Sequence, residues 1–232
     1  MSHRSVALQQ SLTALLAEDR IAPYVAAVGG DLDAALDLYQ WNGRISAAIF
    51  EDLGYLEVML RNACHHQLQQ WSQQQFGDPT WYLRAELNPA SQNDVEKARR
   101  RATRAGREEL AGRVVAELMF GFWRFLHART YEATLWTPCL RRAYPYLKPQ
   151  RRQLVYTRLD HLNTLRNRIA HHEPVHGNEV ADTGTDLAGL YSELLELLGW
   201  IDPVARDWVG SRSRIPELLR QRPLLTPSVR RK

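Results

Sequence analysis

The sequence predicts an all-α protein, and three observations predict it. Apolar residues recur at i, i+3 and i+4 through most of the 232 residues, the repeat of helices that bury one face. Glycine and proline are sparse, 13 and 11 respectively, and they fall where helices would stop. No run of alternating β-branched residues is long enough to nominate a strand. A single domain is expected over 1–232, with N-terminal helices in 1–30, a helical core over about 31–209, and a basic, proline-containing tail over 222–232.

In order along the chain, a first helix is expected from Val6 to Glu18 and a short one from Tyr24 to Val28. Gly29-Gly30 breaks the chain, and Asp31 supplies the side-chain acceptor that caps the next helix. That helix runs to about Gln75, with a bend near Asn42-Gly43, and ends at Gly77-Asp78-Pro79-Thr80. Trp81-Tyr82-Leu83 is expected to be a loop presenting aromatic rings that could stack bases. Asn88-Pro89-Ala90-Ser91 opens a helix that ends in the basic section Lys97, Arg99, Arg100, Arg101, Arg104 and Arg107.

Val114 to Leu126 is apolar and aromatic and is expected in the core. After three proline-marked breaks, a helix spans about Gln150 to His172 and stops before Pro174, because the residue preceding proline resists helical geometry. Thr183-Gly184-Thr185-Asp186 caps a helix to Trp200, and Asp202-Pro203 starts a short one to Val209.

Composition narrows the function classes. No window approaches the roughly 18 consecutive apolar residues of a membrane span, and the N-terminus lacks a signal-peptide apolar core. Cys64 and Cys139 form neither a Cys-x-x-Cys pair nor a disulfide framework, which fits reduced thiols and a cytoplasmic setting. The formal charge is +4, and only three of the thirty basic residues are lysines. Arginine is the better phosphate fork, although genomic base composition also enriches it. No phosphate loop, dinucleotide fingerprint or nucleophile elbow occurs, and no cofactor is expected.

The helix from Gln150 to His172 carries the chemistry. Projected at about 100° per residue, Val155, Leu159, Leu162, Leu165 and Ile169 gather on a core stripe. Tyr156, Asp160, Asn163, Asn167 and His171 gather on the other side, a row of directional hydrogen-bonding groups instead of the Lys and Glu of a solvated face. A row of this kind is expected to meet a second copy of the chain. Arg166 lies between the stripes, able to swing toward Asn167 and His171.

Metal-independent RNA cleavage needs a proton taken from the ribose 2′-hydroxyl, charge neutralised on the phosphorane, and a proton given to the leaving 5′-oxygen. Histidine titrates near neutrality and can do the proton work. Arginine neutralises phosphate oxygens, and asparagine orients either partner. The blander alternative is that Arg166 pairs locally and His171 only complements a helix C-terminus, where a cation is favourable.

Arg166-Asn167-Arg168-Ile169-Ala170-His171 resembles the Arg-polar-(x)3-His signature of HEPN domains. The longer string Leu165 to Pro174 is similar to the LRNxxAHH stretch of Abi-like proteins from bacterial abortive-infection (phage-defence) systems. The resemblance extends from about Asp31 to Trp208, though only the motif and its flanks are sharp. It implies a HEPN-type helical bundle with additional helices, a homodimer, and a composite ribonuclease site where two motifs meet. It further implies that Arg166 holds the phosphate, Asn167 positions it and His171 is the acid/base. The expected activity is a toxin-like endoribonuclease cutting RNA, with an antitoxin or regulatory protein as a further partner and no membrane association. The competing function is a non-catalytic HEPN module that binds RNA, a nucleotide or a partner protein.

Leu60-Arg61-Asn62-Ala63-Cys64-His65-His66 repeats the Arg-Asn spacing, with Glu57 one helical turn before Arg61. Glu57, Arg61 and Asn62, with Asn163 and His172, would form a polar shell around Arg166 and His171. Alternatively, Glu57–Arg61 is a structural pair, or the chain holds two HEPN units and builds its site internally. Lys97, Arg100, Arg101 and Arg104 would either track an RNA backbone or form a solvated helix face. His171, His172, Glu173 and His176 are close in sequence, but Pro174 breaks the helical spacing a zinc pair would need, so no metal is expected.

Overall fold

The computed structural model describes residues 5–177, 179–180 and 183–225. It is helical throughout, and among the described residues the only β-type pairing is an isolated bridge between Val180 and Thr185. The all-α expectation therefore holds. Part of the basic tail, residues 226–232, lies outside the described residues.

Helices α1 (Val6–Leu16) and α2 (Glu18–Ala27) open the chain. α2 begins six residues earlier than expected, with Pro23 inside it. Pro23 lies past the first turn, so the helix forgoes one backbone hydrogen bond there. Asp31 caps α3 (Leu32–Phe76) by accepting from the Ala34 N–H at 3.1 Å, and Gly77, in the left-handed region at φ 69°, ends it. α3 has 45 residues, roughly 65 Å at 1.5 Å per residue. It continues without a break through Asn42-Gly43. Its buried row, Leu38, Ile45, Leu56, Leu60, Cys64 and Leu68 among others, makes it the spine on which the rest is packed.

Trp81-Tyr82-Leu83 is not a loop. These residues form a helical turn, α4 (Trp81–Arg84), with Trp81 and Tyr82 buried. The Trp81 indole N–H donates to His65 Nδ1 at 2.9 Å, and its ring lies against Tyr82, Phe122 and Trp123. These rings are core, because large aromatic surface is worth most when removed from water, and they are closed to bases.

Asn88 caps α5 (Pro89–Ala102). The apolar segment after it divides into α6 (Ala111–Ala116) and α7 (Phe120–Leu126), joined by a turn at which Met119 is exposed. Tight turns over 129–143 lead to α8 (Arg152–Ala170). All five residues of its expected core stripe are buried. α9 (Leu187–Ile201), capped by Asp186, packs on α8 and is tied to it by Arg158–Glu196 at 2.6 Å and His161–Glu193 at 3.0 Å. α10 (Pro203–Gly210) is capped by Asp202.

A last helix, α11 (Ile215–Arg220), lies beyond the expected core and folds back on α3. There the Trp41 indole donates to the Leu218 carbonyl at 2.7 Å and Arg214 pairs with Glu51. Among the described residues no helix is long and apolar enough to cross a membrane.

Candidate functional site

The C-terminal end of α8 forms a Schellman turn. The Glu173 N–H bonds to the Arg168 carbonyl at 2.8 Å and the His172 N–H to the Ile169 carbonyl at 3.0 Å, the paired contacts that close a helix end. His171 caps the helix and is exposed. His172 occupies the left-handed position at φ 57°, which glycine would usually fill. The Arg168 guanidinium locks the turn from the side, donating to the Pro174 carbonyl and pairing with Glu173 at 3.3 Å.

The segment leaving this turn is braced from three directions. Arg20 of α2 donates to the His172 carbonyl at 2.6 Å, and the Val175 N–H donates to the buried Asn42 Oδ1 at 2.8 Å. Arg222, stacked over Trp41, donates to the His176 carbonyl. Each brace satisfies a backbone group that has no helical partner. Together they hold the exit of α8, and so the place of His171, relative to α3. Nothing in the sequence indicates that Arg20, Asn42 and Arg222 brace this turn. Asn42 alone left a signal, an amide at a core register between Leu38 and Ile45.

Arg166 is half-buried on the side of α8 that faces α3, where its positive charge reaches Glu57. Burial pushes the Glu57 carboxyl above its ordinary range. The charges of Arg166 and Arg61 and a hydrogen bond from the Phe120 N–H pull it back. Phe120 is the first residue of α7, whose own N-cap position, Met119, provides no side-chain cap. Glu57 therefore lies near the N-terminus of α7 while facing Arg166. Arg61, also beside this group, contacts the Ala116 carbonyl at 3.5 Å. Glu57, Arg61 and Arg166 are thus brought together. Asn62 and Asn167 are exposed, and His172 points to the far side of the turn, along a cleft between α2 and α3.

The polar row of α8 does not all face outward toward a second copy. Arg124 of α7 pairs with Asp160 at 2.5 Å and lies near the Tyr156 hydroxyl at 3.3 Å. Asn163 Oδ1 lies against Gly121. Tyr156 and Asp160 are engaged within the chain, because α7 and its arginine come from a distant stretch of sequence. Only Asn167 and His171 remain exposed.

The second string behaves differently from the first. His65 accepts from Trp81, and His66 pairs with Gln70 at 3.0 Å. Neither is engaged with Arg166. On α5, Arg99 is bound to Glu96 and Glu109 and Lys97 stands 3.8 Å from Asp94, whereas Arg100, Arg101 and Arg104 are exposed. Among the described residues no three His, Cys, Asp or Glu side chains gather as a metal site.

These elements define an all-α bundle with Arg166, Asn167 and His171 at the C-terminal end of α8, a helix buried along one face. No protein-family model, curated protein or solved structure matches the chain.

Proposed function

We propose that the chain is a HEPN-type ribonuclease module and, more particularly, an Abi-like endoribonuclease that cuts RNA without a metal, as a toxin or in phage defence. One observation carries this reading. Arg166 and His171 sit on a helix end braced from α2, α3 and the C-terminal segment, with His171 open to solvent. A histidine retained only to complement a helix terminus would not need such bracing.

In the reaction, His171 takes the 2′-hydroxyl proton as the 2′-oxygen bonds to phosphorus. Arg166 neutralises the phosphorane oxygens, and Asn167 orients the phosphate. The P–O5′ bond breaks, and the 5′-oxygen must receive a proton as it leaves. One chain offers one His171, so the proton donor is the His171 of a second copy. Support for a second copy comes from the exposed apolar residues Val58 and Met119, which flank the Glu57–Arg166 pair. The RNA backbone would continue over Arg100, Arg101 and Arg104. An antitoxin or other regulatory partner would act by covering the same surface.

The test is incubation with RNA in EDTA, followed by analysis of the ends. Fragments with 2′,3′-cyclic phosphate or 3′-phosphate are expected. Arg166→Ala and His171→Ala should each slow cleavage by about 100-fold or more, with the helical circular dichroism unchanged. Cleavage at the wild-type rate in either variant would overturn the assignment. Binding of RNA with no new ends in EDTA would instead identify a non-catalytic RNA-binding module.

A further inference from the structure

On the other side of the Schellman turn from Arg166 lies a cleft of about 400 Å3, between α2, α3 and the last residues of α8. That volume falls within the range of roughly 300–1,000 Å3 typical of small-ligand sites. Its walls are largely apolar and aromatic: Tyr24, Tyr39, Phe50 and Ile169, with Ala47 on the rim. Polar groups are few and placed apart, Ser46 and Asn42 on α3 and His172 at the mouth.

Two features distinguish this cleft from a packing gap. Tyr24 is fully buried, yet its hydroxyl finds no hydrogen-bond partner among the described residues. The ring of His176 packs 4.8 Å from the Tyr24 ring and helps bury it, without itself lining the cleft. Buried polar groups are normally satisfied, so an unsatisfied hydroxyl on a residue that lines the cleft points to a ligand with a hydrogen-bonding edge. Finally, His172 faces the cleft from a left-handed backbone position that costs free energy for any residue but glycine. Such strain persists where the side chain is needed.

We propose that this cleft holds one unpaired nucleobase of the RNA, next to the phosphate at Arg166 and His171. This inference rests on the ribonuclease reading. A planar heterocycle matches the chemistry: flat faces for Phe50, Tyr39 and His172 to stack on, and an edge of donors and acceptors for the polar groups. A sugar would require more polar lining, and an alkyl chain would leave the Tyr24 hydroxyl unsatisfied. Ala170 and His172, which line the cleft, flank His171 in the chain. A base seated there therefore anchors the nucleotide whose phosphate reaches the motif, and the cleft sets which base is accepted.

The experiment uses the full-length chain and fluorescein-labelled pentanucleotides, fully 2′-O-methylated so that they cannot be cut. One is made for each base, and one carries an abasic central position. Wild-type protein is expected to bind one base series more tightly than the others. Ala47→Trp, an exposed helical position whose new ring fills the cleft, should weaken that binding roughly tenfold or more, the scale of losing one stacked base. Phe50→Ala, which removes an exposed wall, should weaken it in the same direction. The abasic pentamer should lose affinity for the wild type but bind Ala47→Trp no differently from its parent.

Wild-type affinity in both Ala47→Trp and Phe50→Ala, with thermal melts unchanged, would overturn the cleft. So would failure of the wild type to bind any pentamer. Parallel cleavage assays separate the two ideas. If Ala47→Trp cuts RNA at the wild-type rate and with the same base preference in an Arg166-dependent way, the cleft falls and the ribonuclease stands. If Ala47→Trp abolishes pentamer binding but no form of the protein cuts RNA, the ribonuclease falls and the cleft stands.

Discussion

At the scale of single residues, the buried His127 shows how far environment overrides residue type. The carbonyl of Trp123 can only accept, so His127 Nδ1 carries the hydrogen at 2.8 Å and Nε2 accepts the Tyr144 hydroxyl at 2.8 Å. A second proton would break the latter bond in a site closed to water, so burial, followed by the charge of Arg152, lowers the His127 pKa from 6.5 to about 4. The unfolded chain binds that proton more readily. The contribution to stability is therefore complete above pH 6.5 and is lost as pH falls toward 4. The loss amounts to about 3 kcal/mol between pH 7 and pH 4. His127→Gln keeps a donor and an acceptor without titrating, and should remove most of that acid sensitivity in denaturant midpoints. Equal acid losses in both proteins would show that His127 is not responsible. His171, by contrast, follows Arg166 and Asn167 in the chain and sits at an exposed helix end, whereas His127 follows an aromatic segment and is fully buried.

At the scale of elements, α8 was the most legible part of the molecule. Its stripe from Val155 to Ile169 is buried as the 3.6-residue repeat requires, and its end before Pro174 follows from the proline. Its other face was misjudged. Sequence periodicity says which residues share a face, but not what covers it. Arg124 arrives from a helix 36 residues earlier and takes Asp160. Trp81 failed for a related reason: flanking proline and glycine suggested a loop, while tertiary packing folded the rings inward. The turn at His172 carries a prediction of its own. Placing glycine at a left-handed Schellman position relieves the side-chain penalty, partly offset by greater freedom in the unfolded chain. His172→Gly should therefore raise stability by about 0.5–1 kcal/mol while weakening oligonucleotide binding in the cleft. A drop in the thermal midpoint would show that the position is not strained.

At the scale of the whole molecule, assembly decides whether the proposed chemistry is complete. Val58 and Met119, the chain neighbours of Glu57 and of Phe120, are 43% and 52% exposed, and they are the apolar side chains by which a second copy would be held at the Glu57–Arg166 group. A dimer is expected by sedimentation at micromolar concentration. Val58→Asp combined with Met119→Asp should shift it to monomer and reduce RNA cleavage together with it. A strictly monomeric wild type that still cuts RNA would place both proton-transfer groups in one chain and remove the need for a second His171.

The helical class, most helix ends and the motif itself were set locally, because caps, prolines and the 3.6-residue repeat act within a few residues of where they are written. Arg166, Asn167 and His171 could be named on that basis, as could Glu57 and Arg61 beside them. What only the tertiary structure decided is which polar groups are spent inside the fold and which stay available. Asp160 is taken by Arg124, His65 by Trp81 and the exit loop by Arg20, Asn42 and Arg222, all across long sequence separations. The cleft beneath His172 belongs to the same category. Its walls come from α2, α3 and α8, and a concave surface shared among three helices leaves no periodic trace in any one of them.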